Sequence, residues 1–217
     1  MASVKKSCID VFDAEMVRGA RYDGRYEFSV LEKSEHIPQN LVSFDKRNRA
    51  GGSNWLHFYI HDYKFDGLWH NYKRNLDCFR KVAGVITPDF SLYRDMPLAL
   101  QIESVYRNRA IGYWLQSNGI RIVPNIRWAD ERTYEFAFDG VSCGGTVAVG
   151  SHGCIKSNAD RGYFLRGFDE MLRRLRPDTI VVYGRIPKEI DVDALKGSVN
   201  IISFDSEFHV SHNKGAA

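Results

Sequence analysis

Short apolar runs rich in β-branched residues alternate along this chain with stretches in which apolar residues recur every three or four positions. A polar or glycine-containing turn follows most of the runs, which is the order of a strand, a turn and a helix. Most runs are continuously apolar, as expected for parallel strands covered on both faces. The pattern predicts seven strands, at residues 41–44, 56–61, 84–86, 120–123, 146–149, 179–183 and 199–204.

Helical spacing of apolar residues predicts three helices, each leading directly into a strand. Asn158 or Asp160 is the expected cap of the last helix, and Asn118 with Gly119 the expected left-handed end of the middle one. The helices occupy roughly residues 67–81, 97–117 and 160–175.

The order of these elements predicts one α/β domain over residues 41–210, with six to seven mostly parallel strands. We expect an irregular (βα) barrel rather than an open doubly wound sheet, because no glycine-rich turn of the dinucleotide-binding type follows a strand. Residues 1–40 are less regular and predict an N-terminal arm or cap, with a short helix near 13–17. Residues 211–217 predict a loose tail.

Composition excludes several classes of protein. The chain has 217 residues, 44% of them hydrophobic and 26% charged, which is typical of a folded globular protein. Its net charge of +3 is too small for a protein that coats nucleic acid. The four cysteines form no CxxC pair, so a disulfide framework or zinc ribbon is not indicated. No apolar run approaches the ~20 residues of a membrane helix, and the start lacks a signal core, so we expect a cytoplasmic protein without membrane contact.

Polar side chains follow nearly every predicted strand. Because parallel strands present their carboxyl ends at one edge, these side chains should gather on a common rim. Asp, Asn and Ser are also frequent there because they cap helices and close turns, so turn chemistry is the alternative interpretation. The candidates for catalytic acid or base are Asp62, Asp89, His152 and Asp205.

Residues 87–97 carry the densest signal. Two prolines fix the backbone around an acid, a hydroxyl and a phenol, so this loop should be rigid and should present Asp89 and Tyr93. The helix that follows carries Arg107 and Arg109, which cannot share a face. One of them, for which Arg109 is our candidate, could hold an anionic substrate, whereas a solvated helix face is the alternative.

Residues 124–128 form a second cluster. Asn125 and Arg127 are candidates for substrate contact, and Trp128 could stack on a base or sugar or instead plug a barrel end. Tyr183, at the end of the sixth predicted strand, completes the substrate-binding candidates. No metal-ligating set is predicted, although a divalent ion remains open as a cofactor. GxSxG, HExxH and Walker A motifs are absent.

Part of the sequence resembles an uncharacterised family of bacterial, phage and plasmid proteins. The resemblance runs from residue 84 to 130, and more loosely to 209, and covers about 60% of the chain. It implies a mobile-element context but no particular reaction. The segments that carry it are Pro88-Asp89-Phe90-Ser91, Met96-Pro97, Tyr106-Arg107-Asn108-Arg109, Gly119-Ile120, Pro124-Asn125, Trp128, Phe138-Asp139-Gly140 and Tyr183-Gly184.

Three functions follow as hypotheses. The first is a hydrolase or nuclease-like enzyme acting on a nucleotide or nucleic-acid phosphate, with Asp89 as the leading acid or base. The second is a non-catalytic protein that captures a ligand or a host protein through the same aromatic and cationic rim. The third, a sequence-specific nucleic-acid binder, is disfavoured by the nearly balanced charge. The oligomeric state is not indicated by the sequence.

Overall fold

The computed structural model describes residues 14–206. Nine strands and five α-helices lie in this range, with short 3-10 turns between them. The strands are β1 Tyr22–Asp23, β2 Phe28–Ser29, β3 Asn40–Ser43, β4 Asn54–His57, β5 Gly84–Ile86, β6 Ile122–Val123, β7 Thr146–Gly150, β8 Thr179–Tyr183 and β9 Asn200–Phe204. The helices are α1 Gly67–Asn71, α2 Leu76–Phe79, α3 Leu98–Ser117, α4 Asn158–Leu175 and α5 Val192–Leu195.

The strands β3 to β9 are parallel and lie side by side in the order of the chain. They form a four-stranded sheet, β3-β4-β5-β6, and a three-stranded sheet, β7-β8-β9. One isolated parallel bridge, Asn125 to Ala148, joins the two sheets. Two backbone hydrogen bonds of 2.8 Å support it, from Ile126 N to Ala148 O and from Ala148 N to Pro124 O. The predicted α/β architecture with seven parallel strands is confirmed.

The strand order explains why the sheets curve. Right-handed crossovers between neighbouring parallel strands place the helices on one face, so the other face must be covered by the sheet itself. Across the concave side, the rings of His57 on β4 and Tyr183 on β8 lie 4.5 Å apart. One residue from each strand enters the resulting inner apolar layer: Leu41, Trp55, Ile86, Val123, Ala148, Val181 and Phe204.

A closed barrel, which the sequence favoured, is not confirmed. Within residues 14–206, β3 pairs only with β4 and β9 only with β8, so no ladder joins the two outer strands. Within the described residues, backbone pairing between the two sheets is limited to the bridge described above. The architecture is therefore a strongly curved pair of parallel sheets with helices on the convex side.

Two apolar clusters cover the convex side. Helix α3 packs Ala110, Ile111, Trp114 and Leu115 over the four-stranded sheet, where Val85 is completely buried. Helix α4 covers the three-stranded sheet through one apolar face, as its periodicity predicted: Phe164, Phe168, Met171 and Leu175. None of the helices within residues 14–206 has the length and apolar character that crossing a bilayer requires.

Some predicted boundaries were wrong. Strand β4 ends at His57 instead of residue 61, because a 2.7 Å hydrogen bond from Ile60 N to Phe58 O folds the chain there. The helix expected at 67–81 is broken into α1, a 3-10 turn and α2. The cap of α4 is Ser157, whose hydroxyl accepts from Asp160 N, so neither predicted residue caps the helix.

The predicted N-terminal arm is described from residue 14 onward. A 3-10 turn at Ala14–Val17 occupies most of the predicted helix near 13–17, and Asp13 lies outside the described residues. The antiparallel pair β1 and β2 follows, with Met16, Phe28 and Leu31 buried in the core. Residues 1–13 and the predicted tail at 211–217 are likewise outside the described range.

Candidate functional site

A pocket of about 390 Å³ opens at the C-terminal ends of β5, β6 and β7. Its walls are the loop before α3, the segment after β6, the end of β7 and the first turns of α4. At these three strand ends, the polar residues that follow the strands surround a concave surface. The side chains that shape the pocket chemically are Tyr93, Arg94, Asp95, Arg127, Trp128, Cys154, Asp160 and Tyr163.

A buried network led by Asp89 stands behind the pocket. Asp89 is 8% exposed and is not among the lining residues, whereas its ion-pair partner Arg127 is. Asn125 Nδ2 donates to Asp89 Oδ1 at 2.8 Å, and Arg127 Nη1 donates to Asp89 Oδ2 at 3.3 Å. Tyr59 donates its hydroxyl to Asn125 Oδ1 at 2.9 Å, and Thr87 Oγ1 accepts from Asn125 N. The carboxylate is thus fixed by residues from three consecutive strand ends.

The electrostatics of this network depend mainly on burial. Burial raises the pKa of Asp89 above its ordinary value, and the opposing effects of the Arg127 charge and the Asn125 hydrogen bond are smaller. Burial lowers the pKa of Arg127, but the Asp89 charge, with smaller contributions from Cys154 and other neighbours, more than compensates and raises it. Burial raises the pKa of Tyr59 well above its ordinary value, so this phenol remains a hydrogen-bond donor. A buried carboxylate with a raised pKa beside a pocket is a typical candidate for acid or base catalysis.

Gly150, the last residue of β7, allows the network and the pocket to approach each other. A Cβ at this position would lie 2.8 Å from the Tyr59 ring and 3.8 Å from Arg127 Nη1. Tyr59 in turn stacks on Tyr183 with ring centroids 4.7 Å apart. The absence of a side chain at residue 150 therefore lets this aromatic stack pack directly behind Gly150, which lines the pocket.

An ion pair closes one side of the pocket. Arg94 Nη2 donates to Asp160 Oδ1 at 2.7 Å, and the Arg94 guanidinium lies over the Tyr163 ring at 4.4 Å. Asp160 also accepts from the Ser157 hydroxyl at the start of α4. The loop before α3 is thereby tied to the first turn of α4.

Trp128 lines the pocket and also has a packing role. Its ring lies 5.4 Å from that of Phe164, and a Cβ at Gly167 of α4 would collide with the indole. Trp128 belongs to the outer cluster beneath α4 and not to the inner layer, so its position differs from that of a plug inside a barrel. It is 8% exposed. Only a small part of the indole is therefore offered to a ligand.

The structure brings half of the candidate residues together, either in the lining of this pocket or in the network directly behind it. Tyr93, which is 58% exposed, lies at its mouth. The others are Asp89, Asn125, Arg127 and Trp128.

Asp62 and Tyr183 lie close to this group and outside the pocket. Asp62 accepts from Ser91 N at 2.9 Å and from Ser91 Oγ at 2.8 Å, which anchors the loop that contains Asp89. Tyr183 is buried in the stack with Tyr59. Both residues support the position of the network, and neither lines the pocket.

Arg109 lies in the interior of the protein. Its guanidinium donates to the main-chain oxygens of Asp139 at 2.9 Å and Ala137 at 2.7 Å and is 2% exposed. Burial lowers the pKa of Arg109 to about 10. Its donors hold the 137–139 loop against α3, while Arg107 pairs with Glu103 and Asp66 on the helix surface. Neither arginine lines the pocket, although Arg109 Nη1 donates to the main-chain oxygen of Asn125 at 3.4 Å.

His152 and Asp205 are both exposed. His152 lines a separate cleft on the other side of the loop after β7. Asp205 follows β9, three strands beyond the bridge that the pocket overlies. The structure therefore does not gather these two residues with Asp89.

Sequence reasoning missed four residues of this site: Tyr59, Arg94, Cys154 and Tyr163. Tyr59 lies just beyond β4, within the longer strand that the sequence predicted. Its position at a strand end was a usable signal. Arg94 is 66 residues from its partner Asp160, and no local pattern connects the two. Burial raises the pKa of Cys154, so its thiol is not an activated nucleophile.

No metal site is formed by the part of the chain that the structure describes. Between residues 14 and 206, no three His, Cys, Asp or Glu side chains converge closely enough to hold an ion. Asp89, in the buried network, and Asp62, close to it, already accept hydrogen bonds from protein donors.

Comparison with known proteins gives one family and two similar phage proteins. The model of the family described as "Domain of unknown function (DUF4417)" matches residues 20–205. The chain is 39% identical over 167 residues to the Gene 1 protein of Mycobacterium phage D29, which is 74% of this chain and 61% of that protein. It is 36% identical over 174 residues to the Gene 1 protein of Mycobacterium phage L5, which is 77% of this chain and 75% of that protein. The chain thus spans less than two thirds of the length of the D29 protein. No solved structure matches the chain.

Proposed function

Since this chain belongs to the DUF4417 family and is similar to mycobacteriophage proteins, we propose that it is an enzyme of a mobile element that acts on a nucleotide or nucleic-acid phosphate. The observation that carries the proposal is the Asp89–Arg127 pair, a buried acid with a raised pKa whose cationic partner lines a pocket. Perturbed acids beside clefts are more frequent at functional sites than elsewhere.

The size and composition of the pocket support this substrate class. A volume of about 390 Å³ is within the roughly 300–1,000 Å³ of small-molecule sites. Tyr93, Trp128 and Tyr163 offer aromatic surface to a base or sugar, and Arg94 and Arg127 offer guanidinium groups to a phosphate.

A substrate phosphate would change the protonation of Asp89. The Arg127–Asp89 contact of 3.3 Å is long for a charge-assisted hydrogen bond, so a phosphate oxygen can take the place of the carboxylate on Arg127. Asp89 then loses the charge that lowers its pKa and binds a proton more readily. In hydrolysis, that proton passes to the oxygen leaving phosphorus, while the oxygen of a water molecule bonds to phosphorus and the protons of this water stay with the product phosphate.

Asp89→Asn tests this role. A general acid contributes roughly 10²–10⁴-fold to the rate, so turnover should fall by that factor, followed by ³¹P NMR on nucleoside mono-, di- and triphosphates and oligonucleotides. Nucleotide binding, measured as a shift in Tm, should persist. Asp139→Asn is the matched control, because burial also raises the pKa of Asp139 but this residue lies away from the pocket. Undiminished turnover in Asp89→Asn would remove Asp89 from the mechanism.

A specific observation favours a second function, a non-catalytic binding protein. Both oxygens of Asp89 already accept hydrogen bonds, and the arginines of the pocket each pair with an acid, Arg94 with Asp160 and Arg127 with Asp89. Such a balanced site suits capture of a neutral ligand or of a host protein. Ligand-induced stabilisation without turnover in the wild-type protein would support this second function.

A further inference from the structure

A second cavity, of about 500 Å³, lies on the other side of the loop after β7. It is bounded by this loop, by the first turns of α4 and by the segment after β8. We call it the basic cleft, because its charged lining residues are Lys156, Arg161, Arg185, Lys188 and Glu189. These four cations and one carboxylate give the cleft a net charge of +3, which equals the net charge of the whole chain.

Most of this positive charge is not neutralised by the protein. Arg161 pairs with Glu189 at 3.4 Å, and this pair connects α4 to the segment after β8. Within residues 14–206, no hydrogen bond or ion pair engages the side chains of Lys156, Arg185 and Lys188, which are all exposed. Three unpaired cations on one concave surface attract phosphate groups, because the cleft focuses their field.

The basic cleft adjoins the pocket described above. Gly153 lines both cavities, and the loop from Gly150 to Cys154 separates them. The aromatic side chains lie on the pocket side of the loop and the unpaired cations on the other. A chain of alternating bases and phosphates presents the same two chemistries in succession.

We propose that the basic cleft binds the sugar-phosphate backbone of a single-stranded nucleic acid, one nucleotide of which enters the pocket. The proposal rests on the proposed function and names its substrate as a strand instead of a free nucleotide. A single strand is favoured because a base within a duplex is stacked and paired, and its entry into the pocket would cost a few kcal/mol of unstacking.

The experiment measures the binding of a fluorescent single-stranded oligonucleotide of about 16 nucleotides, the upper site size of one single-strand-binding fold. Fluorescence anisotropy is recorded over a series of salt concentrations for the wild-type protein and for the double variant Arg185→Ala/Lys188→Ala. For a single strand, the slope of log K against log salt changes by about 0.7 for each phosphate contact. The double variant should therefore show a slope smaller by about 1.4 and an affinity lower by on the order of tenfold at low salt.

The matched control is Lys81→Ala/Arg121→Ala. It removes the same charge from exposed residues that precede β5 and β6, at the opposite ends of the strands. The control should bind the strand as the wild-type protein does. Mononucleotide binding, measured as a shift in Tm, should be unchanged in both double variants.

Each outcome separates the two proposals. A smaller salt slope in Arg185→Ala/Lys188→Ala alone, with mononucleotide binding retained, supports the strand. If the protein binds mononucleotides and both double variants bind the single strand equally, the proposal that the basic cleft binds a strand is wrong. The proposed function is not affected by this result. Equal affinity for a duplex, or for polyglutamate of the same charge, also overturns the strand proposal, because the cleft would then recognise a duplex or an acidic protein surface. Strand binding through the cleft without any Asp89-dependent turnover contradicts the proposed enzyme alone.

Discussion

At the scale of single residues, the protein places several charged groups where solvent cannot stabilise them. Asp89 and Arg127 depend on each other and on Asn125, whereas Arg109 depends on main-chain oxygens. Removing one partner of such a buried pair costs about 3–5 kcal/mol, because the other charge is left without compensation. Asp89→Asn removes the charge that compensates Arg127, but the amide retains the shape of the side chain and its oxygen can still accept from Asn125.

A surface acid of helix α4 provides a pH-dependent prediction. The hydrogen bond from Arg173, and next to it that from Arg174, lowers the pKa of Glu170 from 4.5 to about 2. A carboxylate whose pKa is lowered in the folded state stabilises the fold above the unfolded value, and this contribution disappears as the pH falls through the folded value. Glu170→Gln should therefore reduce the free energy of unfolding by about 1 kcal/mol at pH 7, the sum of two helix pairs.

Urea denaturation across pH 7 to 2 checks this expectation. The difference between the wild-type protein and Glu170→Gln should shrink between pH 4.5 and about pH 2. Asp169→Asn, an exposed position on the same helix, should show no comparable difference. A difference that stays constant down to pH 2 would contradict the assignment to the Glu170 charge.

Several of these residues were predictable and others were not. Asp89 was found because two prolines and the end of a strand mark its loop in the local sequence. Arg94 was missed because its role depends on Asp160, 66 residues away, and on the docking of α4. Arg109 was expected near a substrate, yet the direction of its side chain depends on how α3 packs over the sheet, and single-sequence periodicity does not give that rotation.

At the scale of elements, helix α4 contains two glycines with opposite expected effects. A Cβ at Gly162 would lie 3.3 Å from Arg166 Nη1, at the far end of a long side chain, whereas one at Gly167 would collide with the Trp128 indole. Gly162→Ala should stabilise the protein by up to about 1 kcal/mol through helix propensity. Gly167→Ala should destabilise it by about 1–2 kcal/mol, because overpacking exceeds the same gain.

Thermal unfolding of the two variants tests this pair, each serving as the control for the other. Gly167→Ala should also change the fluorescence of Trp128, which Gly162→Ala should leave unaltered. Equal effects of both substitutions on Tm would show that the indole does not depend on the glycine face of α4.

The positions of the strands and helices were predicted better than the closure of the sheet into a barrel. Each of the seven parallel strands overlaps an apolar run of the sequence, and α3 was indicated by its spacing and by Gly119 at its end, whereas α4 was indicated by its spacing and its cap was assigned to the wrong residue. The 67–81 segment is broken at Asn71, whose backbone is not helical, and the next residue, Tyr72, meets Trp114 edge to face at 4.9 Å. Whether β3 and β9 pair depends on the curvature of the whole sheet, which no local pattern encodes.

At the scale of the whole molecule, a single inner layer connects the two sheets. It draws Trp55, Ile86 and Val123 from the four-stranded sheet and Ala148 and Val181 from the three-stranded sheet. The two sheets should therefore unfold in one cooperative transition, although a single bridge pairs their backbones.

Urea unfolding followed by circular dichroism and by tryptophan fluorescence checks this prediction, and the two midpoints should coincide. Val123→Ala and Val181→Ala, in different sheets, should each lower the free energy of unfolding by roughly 2 kcal/mol without changing the m value. Val42→Ala, at a half-buried position outside the inner layer, is the control and should cost less. Two separate transitions would show that the sheets are independent folding units.

The bridge between Asn125 and Ala148 has a further consequence. It marks the boundary between the two sheets, and the pocket opens next to it. Arg127, which follows β6, lines one side of the pocket, and Gly150, at the end of β7, lines the other. A ligand bound there would contact residues of both sheets at the position where a single backbone bridge joins them. Ligand binding in the pocket and association of the two sheets would then be coupled. Separation of the sheets would release the ligand, and the bound ligand would oppose their separation.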